Sequence, residues 1–250
     1  MLTALLAASI VVAPLVTPAA ERGPIGAVFA NQTAFSARCL GFNTTAPTAL
    51  AALAERSLTA LGWGVTAVLG PNFTQRSVLQ ALSTAGAAYI YSHGDHYWDA
   101  AEGERSSGFR ADSGLCVDAA RVVASEIAAA RSGLPPATLV IISTCHNGER
   151  RSKVPAAFGI EKRKVGPGEA GPRSFYIGYV DIAWQGGILV FERAFWRAVR
   201  SGLSLGAAYD RALLSGFSPA MLTPNWWGSY DALAAPPRAL PRLAPGQRYV

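Results

Sequence analysis

Residues 139–148, LVIISTCHNG, determine the fold that the sequence predicts. A short apolar run suited to a buried strand leads directly into Cys145, at the point where the strand must end. Residues 87–96, AAYIYSHGDH, repeat the arrangement, because an apolar block leads into His93 and Gly94. Short apolar runs bounded by turn residues are typical of strands that are buried on both faces, as in a parallel sheet. Both stretches therefore predict strands that end in a chemically reactive side chain.

The segments around these two strands alternate between strand-like and helix-like patterns. Strand patterns occupy 25–32, 64–70 and 174–180, and helix patterns begin at Pro47 and after Thr74. Two further amphipathic helices are predicted between residues 188 and 216, separated at Gly202 to Ser204. This alternation predicts an α/β fold with a mostly parallel sheet of about six strands and helices on both faces.

The remaining segments are predicted to be less regular. The polar stretch 94–114 is typical of a surface loop, and 116–133 is typical of a helix that ends at Gly133. Residues 146–173 are rich in Gly, Pro and basic residues, which predicts a mobile loop. The chain becomes Pro-rich after 217, so we expect an α/β domain over 24–217. An irregular tail over 218–250, packed by its aromatic residues, can add one edge strand.

The two strand ends predict a shared crevice. Loops at the carboxyl ends of parallel strands converge, and consecutive strands of this kind are usually neighbours. We therefore expect His93 and Cys145 to face one cleft, separated by one or two strand spacings of about 4.8 Å. A thiolate nucleophile and an imidazole that can protonate a leaving amine are the minimum set for acyl transfer. Gly94 has no Cβ, and its N–H together with that of Cys145 could hold the developing oxyanion.

The pattern resembles the caspase-like cysteine peptidases of clan CD, and most closely their bacterial CHAT, gingipain and clostripain types. This chain and that group of peptidases share an apolar block followed by His-Gly and a second apolar block followed by a small residue and Cys. In this chain the two blocks are AYIYSHG and LVIISTC. Cys145 follows His93 by 52 positions, close to the roughly 50 of caspases. The resemblance covers about 24–216 and implies a three-layer caspase-haemoglobinase-like fold. It implies Cys145 as nucleophile, His93 as general acid/base and Gly94 as oxyanion donor, with peptide or protein substrates and no cofactor.

The resemblance also implies a specificity pocket, because bacterial members of the group mostly cleave after Arg or Lys held by an acidic residue. Asp181, just beyond the strand at 174–180, is the first candidate, with Asp95 and Asp99 behind it. A helix-capping role for Asp181 is the alternative. Related enzymes carry an activation segment after the nucleophile, and the basic segment 146–173 occupies that position here. Cleavage near Arg150, Arg151 or 162–164 would then open the cleft. The alternative is that 146–173 is an ordinary solvated loop.

The amino terminus predicts export. Residues 1–20 combine an apolar run with Pro and small residues, as a secretory signal peptide does, although no basic residue precedes the run. We expect a secreted or cell-envelope protein, or a cytoplasmic one if the true start lies elsewhere, and no stable membrane span. An oxidising compartment permits a Cys39–Cys116 disulfide, which would leave Cys145 free. The net charge of +6 is not concentrated in a nucleic-acid-binding pattern.

Two other functions fit the same residues. His93 and His96 in an H-x-x-H pattern, with Cys145 and His146, could supply the ligands of a zinc site. A scaffold that keeps the fold for binding without catalysis is also compatible with the sequence. The oligomeric state is not predicted by any feature of the chain.

Overall fold

The computed structural model describes residues 24–31, 45–111 and 120–237. In chain order the elements are β1 (Ile25–Ala30), α1 (Ala46–Ala60), β2 (Gly64–Leu69), a 3-10 turn (Gly70–Asn72), α2 (Gln75–Leu82), β3 (Ala85–Tyr91), β4 (Gly94–Asp99), β5 (Glu104–Arg110), β6 (Arg121–Val123), α3 (Ala124–Ala130), β7 (Leu139–Ser143), α4 (Val154–Ala157), β8 (Lys164–Val165), β9 (Phe175–Val180), α5 (Gln185–Arg200), α6 (Leu205–Leu213) and β10 (Thr223–Ser229). The strands predicted at β1, β2, β3, β7 and β9 are confirmed, as are the helices at α1, α2, α5 and α6.

The main sheet has the strand order β2-β1-β3-β7-β9-β10-β8. The first five of these strands are mutually parallel, and β10 runs antiparallel to β9. The predicted mostly parallel sheet is therefore confirmed, with six long strands and the two-residue β8 at one edge. The predicted strands that carry His93 and Cys145 at their ends, β3 and β7, are direct neighbours.

Helices cover both faces of the sheet, which explains why the central strands β3, β7 and β9 are mostly apolar. On one face α1, α5 and α6 pack against alternate strand residues such as Tyr89, Ile141 and Ile177. On the other face α2, α3 and α4 pack against the intervening residues, among them Ile90 and Ile142. Burying each large apolar side chain stabilises the fold by about 1.5–3 kcal/mol.

Residues 94–111, the described part of the loop predicted over 94–114, are not irregular. β4 and β5 form a hairpin, and β6 adds a third strand to this small second sheet. The buried Asp99 explains the tight turn, because its carboxylate accepts the N–H of Ala101 at 3.2 Å and the hydroxyl of Ser125 at 2.6 Å. β6 and α3 share the segment predicted as one helix over 116–133, of which 116–119 lie outside the described residues.

The basic segment 146–173 is packed along its first half. Asn147, Val154, Phe158 and Ile160 are buried, and Val154–Ala157 form the short α4. The prediction of a mobile loop from composition is wrong here, because the apolar side chains lie between exposed basic ones and fill the face covered by α2 and α3.

The region after 217 joins the main sheet through β10. Trp226 stacks on Phe175 with ring centroids 5.0 Å apart, and Trp227 packs against Tyr176 at 5.6 Å. The expected aromatic packing and additional strand are thus present, but β10 lies between β9 and β8, so the sheet extends beyond the predicted domain boundary at 217. Within the described ranges, no helix has both the length and the apolar character needed to cross a bilayer.

Candidate active site

His93 and Cys145 occupy equivalent positions on neighbouring strands. Tyr91 of β3 pairs in parallel register with Ser143 of β7, and each of the two candidate residues follows its strand partner by two positions. Neighbouring strands lie about 4.8 Å apart. Both side chains line one cavity of about 260 Å³ at the carboxyl edge of the sheet. The structure therefore places an imidazole and a thiol at the same opening.

The backbone after Cys145 turns sharply and is held in a sparsely populated conformation. His146 has a φ of 64°, and its N–H donates to the carbonyl of Asp181, which has a φ of 53°. Left-handed backbone is uncommon for residues other than glycine, although His and Asp tolerate it better than most. Gly148 then donates its N–H to Tyr179 at 2.7 Å. Strained residues at the end of a strand are concentrated at functional sites.

The Cys145 thiol is half-buried and free. Its sulfur accepts the N–H of Ala183 at 3.4 Å, a donor supplied by the segment between β9 and α5. Hydrogen bonds to an ionised acceptor are stronger than those to a neutral one, so a thiolate is the better acceptor here. The backbone of His93 is also fixed, because its carbonyl accepts the N–H of Arg110 at 2.9 Å.

Gly94 lies against the backbone that carries the cysteine. A Cβ at this position would be in hard contact with the Cys145 carbonyl oxygen and 2.8 Å from the Thr144 side chain. Gly94 faces Phe109 in the hairpin, and the hydrogen bond from Arg110 to His93 makes this the non-hydrogen-bonded pair. N–H groups at such positions point away from the partner strand. The Gly94 N–H is thus not used by the hairpin.

Asn147 is a site residue that sequence reasoning missed. Its buried amide nitrogen lies 2.9 Å from the Gly108 carbonyl, 2.5 Å from the Thr144 hydroxyl and 3.1 Å from the Cys145 carbonyl. These bonds tie the turn after Cys145 to β5 of the small sheet. Asparagine in a Gly-containing turn is a common signal, so the letters alone did not distinguish this role.

Glu192 is a second residue that the sequence did not identify. It is fully buried on α5, and its carboxylate accepts hydroxyls from Tyr89 on β3, Ser143 on β7 and Tyr179 on β9. Burial raises the pKa of Glu192 to about 7, against the lowering effect of the three hydroxyl donors. The carboxylate thus links the three strands beneath the cavity. Its partner on β7, Ser143, lies two residues before Cys145.

The four predicted zinc ligands are not brought together. Across the described part of the chain, the group of side chains with the spacing of a metal site is His96, His146 and Glu149, without His93 or Cys145. Glu149 joins the two imidazoles, at 3.0 Å from His96 Nε2 and 2.6 Å from His146 Nδ1, and accepts the Arg151 guanidinium at 2.9 Å. Neither His96 nor His146 lines the cavity at Cys145, so neither occupies the position of His93.

The charge of Glu149 is held by these partners. Burial raises the pKa of its carboxyl, but the hydrogen bonds from His146 and Arg151 and the charges of the two histidines outweigh burial and leave the pKa below its ordinary value. A carboxylate that holds the His146 side chain also fixes the left-handed residue directly after Cys145. The cluster is therefore explained as part of the turn that follows Cys145.

None of the predicted acidic pocket residues lines the cavity. Asp181 is exposed, and its carbonyl rather than its carboxylate makes the contact with His146. Asp95 is 64% exposed at its side chain and accepts the N–H of His96 at 2.7 Å. The Asp99 carboxylate already accepts the N–H of Ala101 in the turn between β4 and β5 and the hydroxyl of Ser125. Residues 182–185, which follow Asp181, line the cavity instead.

The predicted signal peptide, disulfide and cleavage positions are not tested by the structure. The signal peptide over 1–20 and both Cys39 and Cys116 lie outside the described residues. Arg150, Arg151 and 162–164 are exposed, as a cleavable segment would require, although Lys164 also begins β8.

Comparisons with known proteins address the fold. No protein-family model and no curated protein matches the chain. Among solved structures, the chain is similar to the crystal structure of protein GSU0716 from Geobacter sulfurreducens, with a TM-score of 0.50 and 15% sequence identity over 82% of this chain and 93% of that one. At this identity the similarity concerns the fold alone, a mixed α/β arrangement with a mostly parallel sheet flanked by helices.

Proposed function

We propose that this chain is a caspase-like cysteine peptidase in which Cys145 is the nucleophile and His93 the general acid/base. The observation that carries the proposal is the shared register of β3 and β7, which brings an imidazole and a thiol to the same cavity from neighbouring strand ends. The mostly parallel sheet with helices on both faces agrees with the fold that the sequence resemblance implies.

In the first half of the proposed reaction, the Cys145 thiol transfers its proton to His93, and the sulfur attacks the carbonyl carbon of a bound peptide bond. The carbonyl oxygen becomes an oxyanion, which the N–H groups of Gly94 and Cys145 stabilise. When the intermediate collapses, the carbon–nitrogen bond breaks, and His93 gives its proton to the departing amine. The products are a free amine and a thioester on Cys145.

In the second half, water replaces the amine. His93 takes a proton from the water while the water oxygen attacks the thioester carbon. The N–H groups of Gly94 and Cys145 stabilise the second tetrahedral intermediate. The carbon–sulfur bond then breaks, releasing the carboxylic acid and the Cys145 thiolate, which takes the proton back from His93 to restore the starting thiol. The donor from Ala183, 3.4 Å from that sulfur, favours this release of the thiolate.

Selective alkylation of the full-length chain tests the proposal. An activated thiolate reacts faster than an ordinary thiol. After any Cys39–Cys116 disulfide has been reduced and the reductant removed, limiting iodoacetamide followed by peptide mapping should therefore modify Cys145 ahead of Cys39 and Cys116. The preference should be lost in His93→Ala and kept in His96→Ala, a matched control because His96 is near the site but does not line the cavity.

Hydrolysis is measured in parallel with an unfolded protein substrate and mass spectrometry of its products. Cleavage should be present in wild type and His96→Ala, and absent in Cys145→Ala. Equal labelling of all three cysteines, together with no Cys145-dependent cleavage, would overturn the proposal and favour the non-catalytic scaffold.

A further inference from the structure

The cavity beside Cys145 is lined mainly by apolar groups. Tyr91 lies on its strand side, and Ile182, Trp184 and Ile188 come from the segment that connects β9 to α5 and from α5 itself. Its volume of about 260 Å³ is below the roughly 300–1,000 Å³ of sites that enclose a drug-sized ligand. The cavity therefore has room for one large side chain of a bound peptide.

The Ser and Thr hydroxyls in the lining are used within the protein. Ser92 donates to the Arg110 carbonyl at 2.6 Å, and Ser143 donates to Glu192. The Thr144 hydroxyl accepts the Asn147 amide at 2.5 Å. A substrate group that bonded to one of these three hydroxyls would have to displace an internal bond. Tyr91 and Gln185 add polar atoms to the lining but no carboxylate.

No Asp, Glu, Lys or Arg lines the cavity among the residues that the structure describes. A cationic side chain placed there would lose its hydration without gaining a charged partner, which disfavours binding strongly. Glu192 lies beneath Ser143, but its carboxylate is fully buried and already accepts three hydroxyls. A Leu or Phe side chain gains from leaving water and makes no such demand.

We infer, as an extension of the proposed peptidase function, that this cavity holds the side chain of the residue whose carbonyl Cys145 attacks, and that it selects a large apolar side chain such as Leu or Phe. This residue supplies the reacting carbonyl, so its side chain lies beside the cysteine, where the cavity opens. The preference replaces the Arg or Lys specificity that the sequence resemblance implies. Hydrophobic pockets typically discriminate by about 10–200-fold for each methylene-sized difference, so we expect kcat/KM for Leu or Phe to exceed that for Arg or Lys at least tenfold.

A series of fluorogenic peptides that differ only in this residue tests the inference. Leu, Phe, Ala, Arg, Lys and Asp are compared on the full-length chain, with Cys145→Ala as background. Acyloxymethyl ketones carrying Phe or Lys provide a second readout, because covalent labelling of Cys145 does not require turnover.

Redesign of the cavity rim sharpens the test. Ile182 is 57% exposed, so Ile182→Asp should fold and should raise the ratio of Arg to Phe cleavage by placing a carboxylate at the opening. Leu214→Asp is the matched control, because Leu214 is 82% exposed and does not line the cavity; its ratio should equal that of wild type. Asp181→Asn should also leave the preference unchanged.

The possible failures are distinguishable. Cys145-dependent cleavage that favours Arg, Lys or Asp would overturn the apolar specificity and leave the peptidase proposal standing. Loss of an Arg or Lys preference in Asp181→Asn or Glu192→Gln would then identify the acidic residue responsible. Absence of Cys145-dependent turnover for every peptide, with no labelling by either ketone, would overturn the peptidase proposal and the specificity with it.

Discussion

Replacing Glu192 with glutamine should make the stability of this protein less sensitive to pH. Glu192 is fully buried between α5 and the central strands, where burial raises the pKa of its carboxyl to about 7 from an ordinary 4.5. Its neighbours Tyr89 and Tyr179 have pKa values raised well above the ordinary value for tyrosine, mainly by burial, so they stay neutral across the relevant range. Glu192 is therefore the group in this cluster that changes charge near neutral pH.

The sign and size of the effect follow from these pKa values. A carboxyl with a raised pKa contributes stability that is fully present below the unfolded-state value of about 4.5 and is lost as pH rises through about 7. Each pH unit between the two values corresponds to about 1.4 kcal/mol, which gives a loss of about 3 kcal/mol on going from acid to mildly alkaline solution. Glutamine keeps the shape and cannot ionise, so Glu192→Gln removes this loss.

The assay is urea unfolding of wild type and Glu192→Gln at pH 5, 6, 7 and 8, with the difference in free energy of unfolding as the readout. The difference should move in favour of the variant by about 2.5 kcal/mol between pH 5 and pH 8, because the unfolded carboxyl is already largely ionised at pH 5. Any fixed cost of fitting an amide among three hydroxyls shifts all points equally. Glu55→Gln, a half-exposed position on α1, should follow wild type. Parallel curves for wild type and Glu192→Gln would refute the raised pKa.

Two further changes test the turn around Cys145. Gly94→Ala puts a methyl group in hard contact with the Cys145 carbonyl and 2.8 Å from the Thr144 side chain. We expect kcat/KM to fall at least about a hundredfold, as it does when an oxyanion donor is lost. Unchanged activity in a folded variant would contradict the close approach of Gly94 to Cys145. Glu149→Gln should lower the free energy of unfolding at pH 7 by about 1–2 kcal/mol through weakened bonds to His146. Because the pKa of Glu149 is lowered, its contribution is present above its ordinary pKa and lost as pH falls below it, so a penalty that persisted unchanged at pH 3 would count against this account.

The central strands were predictable because local and global requirements agree there. Residues 139–142 and 85–91 are apolar, and a strand covered by helices on both faces requires that pattern. Parallel strands that follow each other in a βαβ unit are usually neighbours, so β3 and β7 were expected side by side. His93 and Cys145 could therefore be placed at one opening from the sequence.

The small sheet and the buried carboxylate were not predictable from local patterns. Asp99, at the β4–β5 turn, accepts a hydrogen bond from Ser125, which lies 26 positions further along the chain. Without knowledge of that distant partner, a polar stretch with several turn residues resembles a loop. Glu192 follows apolar residues in an amphipathic helix, where a glutamate usually faces solvent. Only the meeting of hydroxyls from Tyr89, Ser143 and Tyr179 explains its burial, and no short window contains that information.

The lining of the cavity depends on a still finer feature, the conformation of single residues at the strand ends. Asp181 directly follows β9, as an acidic pocket residue would, but its left-handed φ of 53° accompanies a backbone bond to His146 and an exposed side chain. The residues that follow it, from Ile182 to Trp184, then line the cavity. A shift of one or two positions exchanges a carboxylate for an apolar wall. The placement of His93 and Cys145 at one opening is thus set by the pairing of β3 with β7, which the sequence pattern predicted, whereas the lining of the cavity is set by a turn dihedral, which it did not predict.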